Sequence, residues 1–109
     1  MSYDIHLEYD LGGPEPVSVT CYSGNYTSNI GLMVRAAIGE SIGDWDGLTA
    51  RMVARKCSHL ILELESDPVK YDSLNPENGW GSRTGLIEFL RELRAVCLTA
   101  PLAIVRVWA

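Results

Sequence analysis

Basic residues, cysteines and long apolar runs are all scarce in this chain. Nine Lys and Arg stand against 14 Asp and Glu, a net charge of −5. That is the wrong sign for gripping a phosphate backbone by bulk electrostatics, so nucleic acid is not an expected partner. No apolar run approaches the roughly 18 residues of a membrane helix. The N-terminus, Met1-Ser2-Tyr3-Asp4, has no basic and apolar leader. A soluble cytoplasmic protein, without export or membrane contact, is the expectation. Cys21, Cys57 and Cys97 are odd in number, widely spaced and set in apolar stretches, which reads as reduced core thiols in a cytosolic protein. P-loop, Gly-x-Gly-x-x-Gly, His-Glu-x-x-His and Cys-x-x-Cys motifs are missing. His6 and His59 lack the neighbours of a metal site. The chain is therefore expected to be no enzyme and to carry neither metal nor cofactor.

What is there is a globular composition: 109 residues, 47% hydrophobic and 21% charged. This fits one domain over residues 1–109. At this length about a third of the unfolded chain's surface stays wet after folding, so a subunit interface would add appreciably to a modest core.

Tyr3, Ile5, Leu7 and Tyr9 alternate with polar residues, the period of a strand with one buried face. Gly12, Gly13, Pro14 and Pro16 break the chain before a second alternating run, Val17, Val19 and Cys21. Ile30, Met33, Val34, Ala37 and Ile38 follow helical spacing, with Ser28 or Asn29 available as a cap. A second helix from about Asp46 to Thr49 buries Met52 or Val53, then Cys57, Leu60, Ile61 and Leu64, and stops before Asp67-Pro68. Residues 67–81 read as irregular, with a helical turn near Val69 to Leu74. The third helix starts at Ser82 or Thr84, puts Leu86, Phe89, Leu90, Leu93 and Cys97 on one stripe, and ends at Ala100-Pro101. Leu102 to Trp108 is β-branched and short, a final strand. The order β-β-α-α-α-β predicts an α+β fold, a small three-stranded sheet with helices on one face.

The last strand is apolar on both sides, with Ala103, Val105 and Val107 toward the helices and Leu102, Ile104 and Trp108 away from them. Such a strand is expected at the centre of a sheet or covered on both faces. Arg106 falls on the outer face, within reach of Asp4, His6 or Glu8 of the first strand. With only three helices to cover the sheet, a homo-oligomer is expected, most simply a twofold dimer.

Two polar loops lead into helix N-termini, where unpaired N–H groups and the helix dipole favour an anion. One is Gly24-Asn25-Tyr26-Thr27-Ser28-Asn29, the other Asn75-Pro76-Glu77-Asn78-Gly79-Trp80-Gly81-Ser82-Arg83. Asn25, Thr27, Ser28, Asn29 and Asn78 supply donors, Arg83 a fixed charge, and Tyr26 and Trp80 flat faces. That mixture suits a small anionic, nucleotide-like ligand. The same residues also serve as ordinary caps and turns. Trp45 acts either as a third wall of that site or as a staple between the first two helices.

The Asn25 to Asn29 and Asn75 to Gly81 segments resemble a group of small proteins of tailed bacteriophages, especially phages of actinobacteria, over most of the chain. The resemblance implies an accessory phage product in the host cytoplasm. By analogy of size and context it points toward anti-defence sponges of anti-Thoeris and anti-CBASS type, which sequester cyclic nucleotides or cyclic ADP-ribose. On that reading the protein binds such a signal without turning it over. Two alternatives stand beside it. One is an interaction module that inhibits a host protein through the outer sheet face, with Leu102, Ile104, Trp108 and Tyr22. The other is a small nucleotide hydrolase with Asp44 or Asp46 as base.

Overall fold

Alternation in the first strand sets the whole sheet. In the computed structural model, which describes residues 2–10, 18–79 and 81–108, β1 spans Ser2–Asp10, with Ile5 and Leu7 fully buried. The polar alternates Asp4, His6 and Glu8 go to the opposite side of the pleat. Strand β2, Ser18–Thr27, runs antiparallel along one edge of β1, with Ile5 opposite Gly24 and Leu7 opposite Tyr22. The register shifts after Leu7, so that Glu8 faces Thr20 and Cys21 is the extra residue of a bulge. Strand β3, Ile104–Trp108, lies antiparallel on the other edge, pairing Val105 with Leu7 and Val107 with Ile5. The sheet order is β2-β1-β3, and the fold is α+β as the sequence predicts.

Two expectations about the strands need correcting. β2 continues through Asn25, Tyr26 and Thr27, so most of the first polar loop is strand. The central strand is β1, not β3. β3 tolerates an edge position because its outer side is sealed by other means. Gly47 N–H donates to the Val105 carbonyl (2.7 Å), Val105 N–H to Leu48 (2.8 Å) and Ala50 N–H to Ala103 (2.7 Å). The Asp46 carboxylate accepts the Val107 N–H at 2.9 Å.

Helix α1, Gly31–Ile38, buries Met33 and Val34 and ends at Gly39, whose φ of 73° and N–H bond to the Arg35 carbonyl form a left-handed cap. Its N-cap position is Ile30 with no side-chain cap; neither Ser28 nor Asn29 fills that role, because a short 3-10 turn over Ser28–Ile30 intervenes. Helix α2, Ala50–Ser66, is capped by the Thr49 hydroxyl and buries Val53, Cys57, Leu60, Ile61 and Leu64, whereas Met52 is exposed. Asp67 caps the five-residue α3, Pro68–Asp72, with Pro68 at its first turn. Helix α4, Arg83–Thr99, has Ser82 as its cap and buries the predicted stripe plus Ile87. Trp45 is fully buried in the hydrophobic core. Its indole N–H donates to Glu40 (3.0 Å), which also accepts from Lys56 of α2 at 2.8 Å. Trp45 is therefore a core residue, tied through Glu40, just beyond α1, to α2. Among the described residues no helix is long and apolar enough to cross a membrane.

Candidate functional site

The two polar segments singled out by sequence do converge, at the first turn of α4. What brings them together is the absence of side chains. Gly81 has φ of +99°, and a Cβ there would lie 2.7 Å from Thr27 Cγ2 and 3.0 Å from Ile30 Cγ2. A Cβ on Gly85 would lie 2.6 Å from the Tyr26 hydroxyl. Only glycine lets this backbone approach so closely. The Tyr26 ring stacks on Phe89 of α4, with centroids 5.1 Å apart and planes at 25°. The junction is thus closely packed, and one face of the Tyr26 ring is already covered by Phe89.

Arg83 is turned inward too. Its side chain is 15% exposed, and Nε donates to Asp72 Oδ1 at 2.9 Å. One terminal N–H reaches the Leu64 carbonyl at 3.5 Å. Its backbone N–H donates to the Asn75 side chain at 2.9 Å, and the Gly85 N–H to the Ser82 hydroxyl at 3.0 Å. Two of the amides that would cradle a phosphate are therefore satisfied within the chain. The Thr27 hydroxyl accepts the Asn29 N–H at 3.3 Å. Asn29 and Asn78 are exposed, Asn78 in a turn closed by the Gly79 N–H on the Pro76 carbonyl. Asn25 stands opposite Asp4 in the sheet. Trp80 lies outside the described residues, as do the side chains of Asn25 and Ser28.

Beside Arg83, between the end of α2 and the start of α4, is a cleft of about 230 Å³ lined by Glu65, Arg83, Thr84, Ile87, Glu88 and Arg91. It is smaller than the roughly 300–1,000 Å³ usual for small-molecule sites. Two carboxylates offset its two guanidinium groups, and Arg91 already pairs with Glu65 at 3.2 Å.

The carboxylates considered for hydrolysis have structural duties. Asp44 accepts the Ser41 N–H at 2.9 Å in a reciprocal cap, and Asp46 holds Val107 as described above. His59 is exposed and 3.8 Å from Glu63. Among the described residues no group of three or more acidic, His or Cys side chains is placed to hold a metal. Two ionisations are perturbed at structural positions. The hydrogen bond from Lys56 holds the Glu40 carboxyl below its usual range. Burial, with Cys97 adding to it, pushes the Cys57 thiol up to about 12, a resting core thiol and not a nucleophile.

The sheet face away from the helices has a different character. Trp108 is 54% exposed, and the His6 ring meets it edge-on at 4.6 Å and 68°. Arg106 stands opposite His6, with its Nε 3.5 Å from Glu8. Ile104 is half-buried opposite Glu8, and Leu102, just before the strand, is exposed. The predicted division of β3 into inner and outer residues holds, and so does the pairing of Arg106 with β1. Tyr22 stands opposite Leu7; its side chain lies outside the described residues.

The pattern of apolar and polar residues in the sequence marks neither Gly81 nor Gly85 as a point of close approach, nor Asp72 as the partner of Arg83. The glycines at a spacing of four across a helix start are the signal that was available for close approach. The Asp72–Arg83 pair, separated by a turn-rich segment, left no comparable trace. No protein-family model, curated protein or solved structure matches this chain.

Proposed function

We propose that this is a non-enzymatic binding protein that acts on another protein through the open face of its sheet. The observation that carries the reading is Trp108, 54% exposed, flanked on that face by the half-buried Ile104 and Arg106. Trp and Arg are the residues that dominate binding energy when a partner desolvates them. Two of the residues suited to a small ligand, by contrast, already make internal contacts: Tyr26 with Phe89 and Arg83 with Asp72. In the setting suggested by the phage-like segments, the partner is a host protein that this chain inhibits in the host cytoplasm. The partner offers an apolar pocket for the indole and an acceptor for Arg106.

A second reading keeps the anionic, nucleotide-like ligand and moves it to the cleft, where Arg83, Arg91 and Thr84 are the donors. Affinity enrichment from a bacterial lysate separates the two. A partner retained by the wild type and by Arg91→Glu, but lost from Trp108→Ser/Arg106→Glu, supports the sheet face. A nucleotide released from the purified protein and lost in Arg91→Glu favours the cleft and overturns the first reading.

A further inference from the structure

The two edges of the sheet are finished differently. The edge at β3 is sealed by the 46–50 segment, which supplies backbone hydrogen bonds, an Asp46 side chain and a bridge between Thr49 and Ile104. The outer edge of β2 pairs with no strand among the described residues. Exposed edges are normally guarded by Lys, Pro or inward charge. β2 is ten residues long, Ser-Val-Thr-Cys-Tyr-Ser-Gly-Asn-Tyr-Thr, and contains no Pro and no charged residue. The bulge at Cys21 interrupts its pairing with β1.

The far end of the β1–β2 pair also lacks support. β3 covers β1 only from Asp4 to Glu8, so Tyr9 and Asp10 with Val19 and Ser18 form a two-stranded extension. The chain is correspondingly elongated, 52 by 25 by 20 Å. Two strands alone are marginal in water, and a third gives them independent stability.

We propose that β2 pairs antiparallel with β2 of a second copy about a twofold axis. The two sheets then join as β3-β1-β2-β2-β1-β3. The uncharged strand suits this occupant. Each copy carries a net charge of −5, and a neutral edge is where two acidic copies meet with least repulsion. Strand addition satisfies the exposed backbone groups of both partners at once. The inference does not rest on the function proposed above, although the joined sheet would present two copies of the open face side by side.

Sedimentation velocity on the full chain, from about 1 to about 200 µM, brackets the micromolar dissociation expected of so narrow an interface. The wild type is expected to dimerise with concentration, and Thr20→Lys/Ser23→Lys to stay monomeric with its melting temperature kept. Hydrogen exchange on the wild type gives the second readout. Amides of 18–27 should gain protection at high concentration while those of 104–108 do not change. A chain that stays monomeric throughout overturns the proposal. So does a dimer whose added protection falls on 104–108 or on the helices, or one that survives both lysines. If the lysine variant does not fold, the exchange pattern of the wild type decides.

Discussion

Arg83→Ala tests whether this side chain holds the fold together or waits for a ligand. The guanidinium is 15% exposed and its partner Asp72 48%, so the pair lies between two regimes. Exposed ion pairs contribute about 0–1 kcal/mol, while hydrogen bonds to charged groups in protected sites contribute about 1.5–3 kcal/mol. Solvent on the Asp72 side pulls the value toward the middle. Truncation also removes the packed stem of the side chain. A loss of about 1–2 kcal/mol follows, and for a domain of this size a melting temperature lower by roughly 5–12 °C. Asp72→Ala should lose part of the same energy, with a coupling of about 1 kcal/mol in the double-mutant cycle. Thermal and urea unfolding followed by circular dichroism measure all three. An Arg83→Ala protein melting within about 2 °C of the wild type would refute the reasoning and return Arg83 to the list of residues free to hold an anion.

Gly81→Ala combines a left-handed φ with a Cβ 2.7 Å from Thr27 and should cost about 2–4 kcal/mol in urea unfolding; Gly39→Ala, at φ +73° but with open space around it, should cost only about 1 kcal/mol. Because Lys56 lowers the folded-state pKa of Glu40 from 4.5, the pair stabilises the fold above that pH and the stabilisation is lost as pH falls through the lowered value. Lys56→Met should therefore flatten the acid limb of the stability curve below 4.5 and leave its slope at neutral pH unchanged. Cys57 behaves oppositely: with its thiol raised from 9.0 to about 12, its contribution is complete below pH 9 and fades as pH rises toward 12, since the unfolded chain ionises first. The wild type should lose on the order of 1 kcal/mol per pH unit in that window relative to Cys57→Ala, read from urea midpoints.

Elements whose period repeats over several turns were legible from sequence. α4 follows its stripe from Leu86 to Cys97, and α2 stops where Pro68 forces it to. Strand order was not legible, because the apolar outer residues of β3 suggested a central position. What permits an edge is a set of backbone bonds from residues 46–50, and backbone bonds leave no mark on side-chain pattern. The polar loop at Asn25 to Asn29 was misread for a related reason: small polar residues suit a loop, and Asn25 to Thr27 are strand only because β1 is paired beside them. That the two segments are polar and lead toward helix starts was legible. Their meeting and what it serves were not, since a close approach at Gly81, a stack on Phe89 and a bond to Asp72 depend on which residues meet in space.

Photocrosslinking tests the central claim most directly. With a partner captured from lysate, a benzophenone amino acid is placed at position 102, exposed beside the open sheet face, and, separately, at position 88 in the cleft. Covalent capture from position 102 and none from position 88 is the predicted result. Capture from position 88 alone would contradict the account and move the binding surface to the helices.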